Sequence, residues 1–276
     1  MRGRPEDLYL DLMKKTLTFT LWPEPPIPIE TFNDQRPPLK RMFVSAVSRI
    51  LKFEQLQLVK QRDVTTEDMQ AGRIWPGYAD TMIGLKRLEN LQSCVETVIR
   101  EEVAGDLIET GVWRGGACIF MRAILAAWAV EDRKVYVADS FEGLPKPDAE
   151  KYSADQGDKH HTHSFLAVSQ DEVENNFRRF GLLDDQVVFL KGWFKDTLPN
   201  APIKRLAILR LDGDMYSSTM DALRNLYPKL SPGGFCIIDD YALEGCRKAV
   251  DDFRAEQGIQ AEIQAVDWSC CYWRKE

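Results

Sequence analysis

The sequence predicts an α/β fold: an open, doubly wound, mostly parallel sheet of seven strands over residues 104–276, preceded by an α-helical extension over residues 1–103. Two observations carry this. From residue 105 onward, short apolar runs bounded by Gly, Pro and Asp alternate with amphipathic stretches, the pattern of a parallel sheet covered on both faces. Before that point, apolar residues recur only at helical spacing and are interrupted by prolines.

In the extension, Tyr9, Leu12, Met13 and Leu17 repeat at helical spacing, and Pro23, Pro25, Pro26 and Pro28 then exclude helix. Pro37-Pro38 precedes Leu39, Met42, Phe43, Ala46, Val47, Ile50 and Leu51, a stripe that predicts a helix with proline near its first turn. This helix, over residues 39–60, bears Lys40, Arg41, Arg49, Lys52 and Lys60 with Glu54 as its only acid. It reads as a packed helix with a solvated basic face; a membrane-surface or partner role is the alternative. A third helix is expected over residues 80–103, carrying Met82, Ile83, Leu88, Leu91, Val95 and Ile99. No strand is expected in this region. Beyond it, strands are expected over residues 106–109, 134–138, 186–190, 205–211 and 234–238, with helices over 115–130, 169–180, 217–227 and 244–257. Runs 261–266 and 270–273 read as two further strands at one edge.

Composition excludes several classes. Thirty-six Lys+Arg against 43 Asp+Glu leave a net charge of −7 on 276 residues, 44% of them hydrophobic, which is ordinary for a globular chain. Net acidity argues against a nucleic-acid partner, because phosphate binding needs a basic footprint. No apolar run approaches the roughly 20 residues of a membrane span. The start, Met1-Arg2-Gly3-Arg4-Pro5-Glu6-Asp7, offers no apolar signal-peptide core, so a cytoplasmic protein is expected. Cys94, Cys118, Cys236, Cys246, Cys270 and Cys271 form no C-x-x-C and sit mostly in apolar segments, as buried thiols do.

Ligands of an open parallel sheet bind beyond the carboxyl ends of its strands, and acids follow several of these strands. The first ends in Glu109-Thr110-Gly111-Val112-Trp113-Arg114-Gly115-Gly116, which is neither G-x-G-x-x-G nor a P-loop, and which lacks the P-loop lysine. Its glycines allow close backbone approach to a ligand. Asp139 ends the next strand, roughly 30 residues beyond Glu109, where an acid accepts hydrogen bonds from the ribose hydroxyls of an adenosine cofactor. Asp212, Asp239 and Asp240 end two strands expected to be neighbours about 4.8 Å apart. Three converging carboxylates repel unless a cation lies between them, and oxygen donors suit Mg²⁺ better than zinc. Asp214 reads as a helix cap rather than a ligand. His160, His161 and His163 fall in the long polar stretch 145–169, which reads as a lid with a site-facing histidine or as a solvated loop. Trp75-Pro76-Gly77-Tyr78 is expected to bring aromatic surface to the site mouth.

Five words of the sequence resemble the macrocin-type O-methyltransferases, which methylate sugar hydroxyls of glycosylated antibiotics such as mycinamicin, tylosin and novobiocin. They are Thr81-Met82-Ile83-Gly84, the run from Gly105 to Ala117 with Glu109-Thr110-Gly111-Val112-Trp113-Arg114-Gly115-Gly116 at its centre, Ala138-Asp139-Ser140-Phe141, Leu211-Asp212-Gly213-Asp214-Met215-Tyr216-Ser217-Ser218-Thr219, and Gly233-Gly234-Phe235-Cys236-Ile237-Ile238-Asp239-Asp240-Tyr241. The resemblance runs from about residue 80 to 250 and implies the Rossmann-like class I methyltransferase fold. It implies S-adenosylmethionine over residues 109–111, met by Thr81, Met82, Glu109, Thr110, Gly111, Val112 and Arg114. Asp139 would hold its ribose, with Ser140 or Phe141 near the adenine and Gly192 and Trp193 closing that side. Mg²⁺ would sit on Asp212, Asp239 and Asp240 and chelate vicinal hydroxyls of a glycoside acceptor, with Asp212 as general base. The family's members associate through the N-terminal elements, so a homo-oligomer is implied, with the acceptor pocket partly built from the same region.

Three other classes compete. A dinucleotide oxidoreductase would share the sheet but lacks the glycine fingerprint and leaves three Asp unexplained. A non-enzymatic binding module would not need the Asp triad. A catechol-type metal-dependent O-methyltransferase shares every core motif and differs only in acceptor.

Overall fold

The computed structural model describes residues 4–22, 27–31, 33–60, 65–75 and 77–276. Helix α1 (Pro5–Leu17) has proline and the acids Glu6 and Asp7 in its first turn and Lys14 and Lys15 in its last, charges that complement the helix dipole. It buries Leu10, Met13 and Leu17. Of the prolines expected to exclude helix after it, Pro23, Pro25 and Pro26 lie outside the described residues, and Pro28 stands in β1 (Ile27–Pro28). Helix α2 (Pro38–Phe53) and β2 (Val59–Lys60) follow, β2 pairing antiparallel with β1.

Four expectations are corrected here. The helix over 39–60 stops at Phe53, because Gln55 turns into the left-handed region at φ 57°, and its last two residues are strand. The extension is therefore not free of strands. Nor is α2 packed along its apolar stripe: Leu39, Phe43, Ile50 and Phe53 are 78%, 69%, 70% and 87% exposed. The short α3 (Thr66–Gln70) is capped by the Thr65 hydroxyl, which accepts from the Asp68 N–H. Helix α4 (Leu85–Arg100) starts later than residue 80, since residues 81–84 form a turn instead, with the Thr81 hydroxyl accepting from the Ile83 N–H at 3.3 Å. At its N-cap, a Cβ on Gly84 would lie 2.3 Å from the Gly72 nitrogen.

From residue 104 onward strands and helices alternate as expected: β3 (Asp106–Thr110), α5 (Gly116–Ala127), β4 (Val135–Asp139), α6 (Gln170–Arg179), β5 (Val187–Lys191), α7 (Phe194–Thr197), β6 (Leu206–Leu211), α8 (Tyr216–Leu226), β7 (Leu230–Ile238), α9 (Glu244–Gln257), β8 (Gln264–Ala265) and β9 (Cys271–Arg274). Helix α5 ends at Ala127 rather than 130, the chain reversing through left-handed Ala129. The seven-stranded sheet has the order β5-β4-β3-β6-β7-β9-β8. Its first five strands are parallel; β9 runs antiparallel to β7, and β8 to β9. The chain builds outward from β3 in both directions, so a crevice opens between the carboxyl ends of β3 and β6.

One apolar layer joins Leu10, Met13 and Leu17 of α1 and Leu88, Leu91 and Val95 of α4 to α5 and the α6 face of the sheet. The opposite layer holds α8 and α9 around Leu209, Leu223, Val250 and Trp273. The extension is thus anchored in the same core as the sheet. All six cysteines are free and buried. Among the described residues no helix is long and apolar enough to cross a membrane.

Candidate active site

Hydrogen bonds carry the sheet one residue past its strand ends. The Gly111 N–H donates to the Ala138 carbonyl, Asp212 to Thr110 and Asp239 to Leu211, each at 2.9 Å. Gly111 adopts φ 85°, and a Cβ there would lie 1.7 Å from the Asp212 carbonyl oxygen. No other residue fits between the two strand ends. A cavity of about 620 Å³ opens above this edge.

Of the residues singled out in the sequence, Thr81, Met82, Glu109, Gly111, Val112, Asp139, Ser140, Gly192, Trp193, Asp212, Asp239 and Asp240 line that cavity. Three do not. Thr110 is fully buried. The Phe141 ring lies in the core, 6.0 Å from the Phe189 ring, because Phe141 itself takes a left-handed backbone (φ 58°) that turns it inward. The Arg114 guanidinium stacks on Trp113 and donates to the carbonyls of Gly77 (2.9 Å) and Ala79 (2.7 Å), tying the extension to the first strand turn. Asp139 is gripped by the N–H groups of Val112 and Phe141, both at 2.7 Å. Burial outweighs those bonds and lifts its pKa above the usual carboxylate range.

Beside it lies a buried ionic network that the sequence reading missed. Arg210, 1% exposed near the carboxyl end of β6, donates to Glu109, to Asp239 and, at 2.9 Å, to Asp212. Arg87 of α4 donates to the other Asp239 oxygen and, at 2.7 Å, to Asp267. The Cys118 thiol donates to Glu109 at 3.0 Å, consistent with a pKa raised by burial and by that carboxylate. The signal was present in the sequence: an arginine inside the apolar run Leu206-Ala207-Ile208-Leu209-Arg210-Leu211 must find acids when buried.

One oxygen from each of Asp212, Asp239 and Asp240 lies within 4.8 Å of the others. Burial first, and neighbouring acids second, push the pKa of Asp212 and of Asp240 well above the carboxylate range; for Asp212, Arg210 opposes this. Among the described residues no ion pair reaches Asp240, whose Oδ2 accepts the Asp214 N–H at 3.0 Å. An all-oxygen set of three carboxylates, of which Asp212 and Asp239 are shared with arginines and Asp240 is not, can hold a hard divalent cation.

The stretch 145–169 closes over the cavity, where His160, His163, Phe165 and Leu166 line it and His161 does not. Two contacts fasten it. The Trp113 indole donates to the Phe165 carbonyl at 2.9 Å, and Asp155 accepts from the N–H groups of Tyr216 (2.6 Å) and Ser217 (3.0 Å). The cap of α8 is therefore Asp155 of the lid and not Asp214, which stands in a left-handed turn (φ 56°) with its pKa pushed up to about 6 by burial. Of the expected aromatic run, Trp75 lines the cavity, Pro76 lies outside the described residues, and Tyr78 packs on Phe19. Trp268 also lines the cavity, its indole donating to the Ala71 carbonyl at 2.9 Å.

The family model described as Macrocin-O-methyltransferase (TylF) matches residues 6–275. The chain belongs to this family. The match takes in the N-terminal extension from residue 6 onward, beyond the motifs between residues 80 and 250. As a macrocin O-methyltransferase family member it is an S-adenosylmethionine-dependent O-methyltransferase. It is 52% identical over 269 residues, 97% of this chain and 92% of the relative, to the 8-demethyl-8-(2,3-dimethoxy-alpha-L-rhamnosyl)-tetracenomycin-C 4'-O-methyltransferase of Streptomyces olivaceus. It is 49% identical over 272 residues, 97% and 93% of the two chains, to the demethyldecarbamoylnovobiocin O-methyltransferase of Streptomyces niveus. The mycinamicin III 3''-O-methyltransferase of Micromonospora griseorubida is 52% identical over 221 residues, 79% and 87%. Among solved structures, the O-methyltransferase NovP aligns with a TM-score of 0.82 at 48% identity, covering 98% of this chain and 99% of that one. The calicheamicin methyltransferase CalS11 shares the fold, with a TM-score of 0.56 at 17% identity over 99% and 94%.

Proposed function

We propose that this macrocin O-methyltransferase family member transfers the methyl group of S-adenosylmethionine to a hydroxyl of a deoxysugar on a glycosylated natural product, with Mg²⁺ held by Asp212, Asp239 and Asp240. The observation that carries the reading is the cluster of three carboxylates within 4.8 Å of one another, facing a cavity large enough for a glycoside beside the donor. The relatives' names support the acceptor class, since one names a rhamnosyl tetracenomycin and others name novobiocin and mycinamicin substrates.

The methyl donor would lie over residues 109–111, its ribose on Asp139, with Ser140, Gly192 and Trp193 around the adenine and Thr81 and Met82 meeting it from the extension. Thr110, Phe141 and Arg114 would act from behind the cavity wall: Phe141 through its N–H on Asp139, Arg114 by holding residues 77–79. Magnesium supplies positive charge that acidifies a nearby hydroxyl. Asp212 receives the hydroxyl proton. The acceptor oxygen attacks the methyl carbon opposite sulfur; the C–O bond forms as the C–S bond breaks, leaving the electron pair on sulfur and the proton on Asp212. The donor's sulfonium charge vanishes in that step, so alignment and exclusion of water, here by the lid and Trp268, matter more than an oxyanion hole.

The division of labour follows: residues 1–103 for acceptor binding, lid and association, residues 104–276 for the donor and chemistry. The exposed apolar face of α2 fits a second copy of the chain, so we propose a homo-oligomer, working in the cytoplasm on a small molecule without nucleic acid or membrane. Incubation with S-adenosylmethionine and p-nitrophenyl α-L-rhamnopyranoside, followed by mass spectrometry, tests the function. The reading requires gain of one methyl by the sugar, loss of transfer in EDTA and recovery on adding Mg²⁺. Transfer to simple catechols but to no glycoside would overturn it.

A further inference from the structure

We propose that the lid pair Asp158–His160 is a specificity-determining element, His160 Nε2 hydrogen-bonding the acceptor-sugar hydroxyl beside the one that is methylated. This rests on the glycoside reading above and sharpens it. His160 lines the cavity yet has no part in the mechanism just described. Asp158 grips it twice, accepting from its N–H at 2.9 Å and meeting its Nδ1 at 2.6 Å. A carboxylate can only accept there, so Nδ1 carries the proton, the ring is fixed in orientation, and Nε2 is the ring nitrogen that Asp158 does not engage. The ring also packs edge-on against His163 at 6.1 Å, and His163 lies 5.6 Å from Phe165, whose carbonyl is pinned by Trp113. Held by a carboxylate on a fastened lid, this half-buried imidazole is preorganised.

Its position selects the acceptor and not the donor. The lid is latched by Asp155 onto the first turn of α8, above the strand end that carries Asp212, and His160 and Asp214 act on each other electrostatically across that corner. The donor motifs Gly111, Asp139 and Gly192 lie toward β3, β4 and β5, on the other side of the crevice. Vicinal hydroxyls of a sugar are chemically alike, so Asp212 and a cation alone do not distinguish them. A third polar contact at a fixed place does, because it favours the one pose in which the neighbouring hydroxyl meets it.

The experiment compares wild type with His160→Ala, His160→Gln and Asp158→Asn on p-nitrophenyl α-L-rhamnopyranoside. It measures KM and kcat, the methylated position by NMR, and S-adenosylhomocysteine affinity by calorimetry. Expected for His160→Ala is a KM raised about tenfold, as loss of one well-placed hydrogen bond gives, and methyl appearing on more than one hydroxyl. S-adenosylhomocysteine affinity stays at the wild-type value, which also shows that the variant is folded. Asp158→Asn moves the same readouts in the same direction, and His160→Gln recovers part of the loss. Unchanged KM and a single product position in both His160→Ala and Asp158→Asn overturn the proposal while leaving the glycoside reading intact. Wild type that binds S-adenosylhomocysteine but methylates no glycoside overturns both.

Discussion

Replacing Arg210 by Met keeps an unbranched apolar stem and removes the charge at the centre of the site. Arg210 is 1% exposed and faces Glu109, Asp212 and Asp239, so the variant leaves three carboxylates in a protein interior with one counter-charge, Arg87, reaching only Asp239. Removing one partner of a buried ion pair costs about 3–5 kcal/mol, because the remaining charge is desolvated and unpaired. With an unfolding entropy near 2.1 cal/mol/K per residue over 276 residues, that corresponds to a fall in Tm of roughly 5–9 °C. The assay is thermal and urea denaturation of wild type and variant, with and without Mg²⁺. Magnesium should restore more stability to the variant than to wild type, since it supplies positive charge to the same carboxylates. The pH dependence has a definite sign. Burial raises the pKa of Glu109 and Asp212, so ionised they cost stability, and that cost disappears as pH falls through their folded values. The gap between variant and wild type should therefore narrow on acidification. A loss below about 1 kcal/mol, or a gap that widens at low pH, would refute the charge-balance argument.

Four further outcomes follow from the same geometry. Asp155→Ala removes the cap of α8 and should cost about 0.5–2 kcal/mol while raising amide exchange across 145–169; exchange confined to α8 would show that Asp155 does not latch the lid. Gly111→Ala forces a Cβ to 1.7 Å from the Asp212 carbonyl and should abolish S-adenosylhomocysteine binding by calorimetry; wild-type affinity would contradict the close approach. Burial lowers the His160 pKa, but its bond to Asp158 and the charges of Asp214 and Asp158 outweigh this and leave it raised. Its contribution to lid order is thus complete below about pH 6.5 and is lost as pH rises through the folded value, so exchange of the lid should increase with pH after correction for intrinsic rates. Phe43→Glu places a charge on the exposed face of α2 and should shift sedimentation from an oligomer to the monomer; a wild-type monomer would remove the α2 interface.

The sheet was readable because each strand is a short apolar run closed by Gly or Asp, and α9 was readable to the residue between Leu243 and Gly258. The strand-end acids were readable for the same reason: they stand where a parallel sheet presents its ligands. What escaped was set by contacts distant in sequence. Arg87 meets Asp239 and Asp267 across more than half the chain, and Asp155 caps a helix that begins 61 residues later. Periodicity shows that α2 is amphipathic but not what its apolar face meets, and that face is left exposed. Phe141 and Arg114 stand inside motif words yet work from behind the cavity wall, because a motif fixes a turn without saying which side chains line it.

The most direct test of the central claim is methyl transfer to p-nitrophenyl α-L-rhamnopyranoside by wild type and Asp212→Asn, in EDTA and in Mg²⁺, with S-adenosylhomocysteine affinity measured on both proteins. Wild type should transfer the methyl group only with magnesium, and Asp212→Asn should fall at least about a hundredfold in rate with donor-site affinity retained. Transfer by wild type that persists in EDTA, or by Asp212→Asn at the wild-type rate, would contradict it.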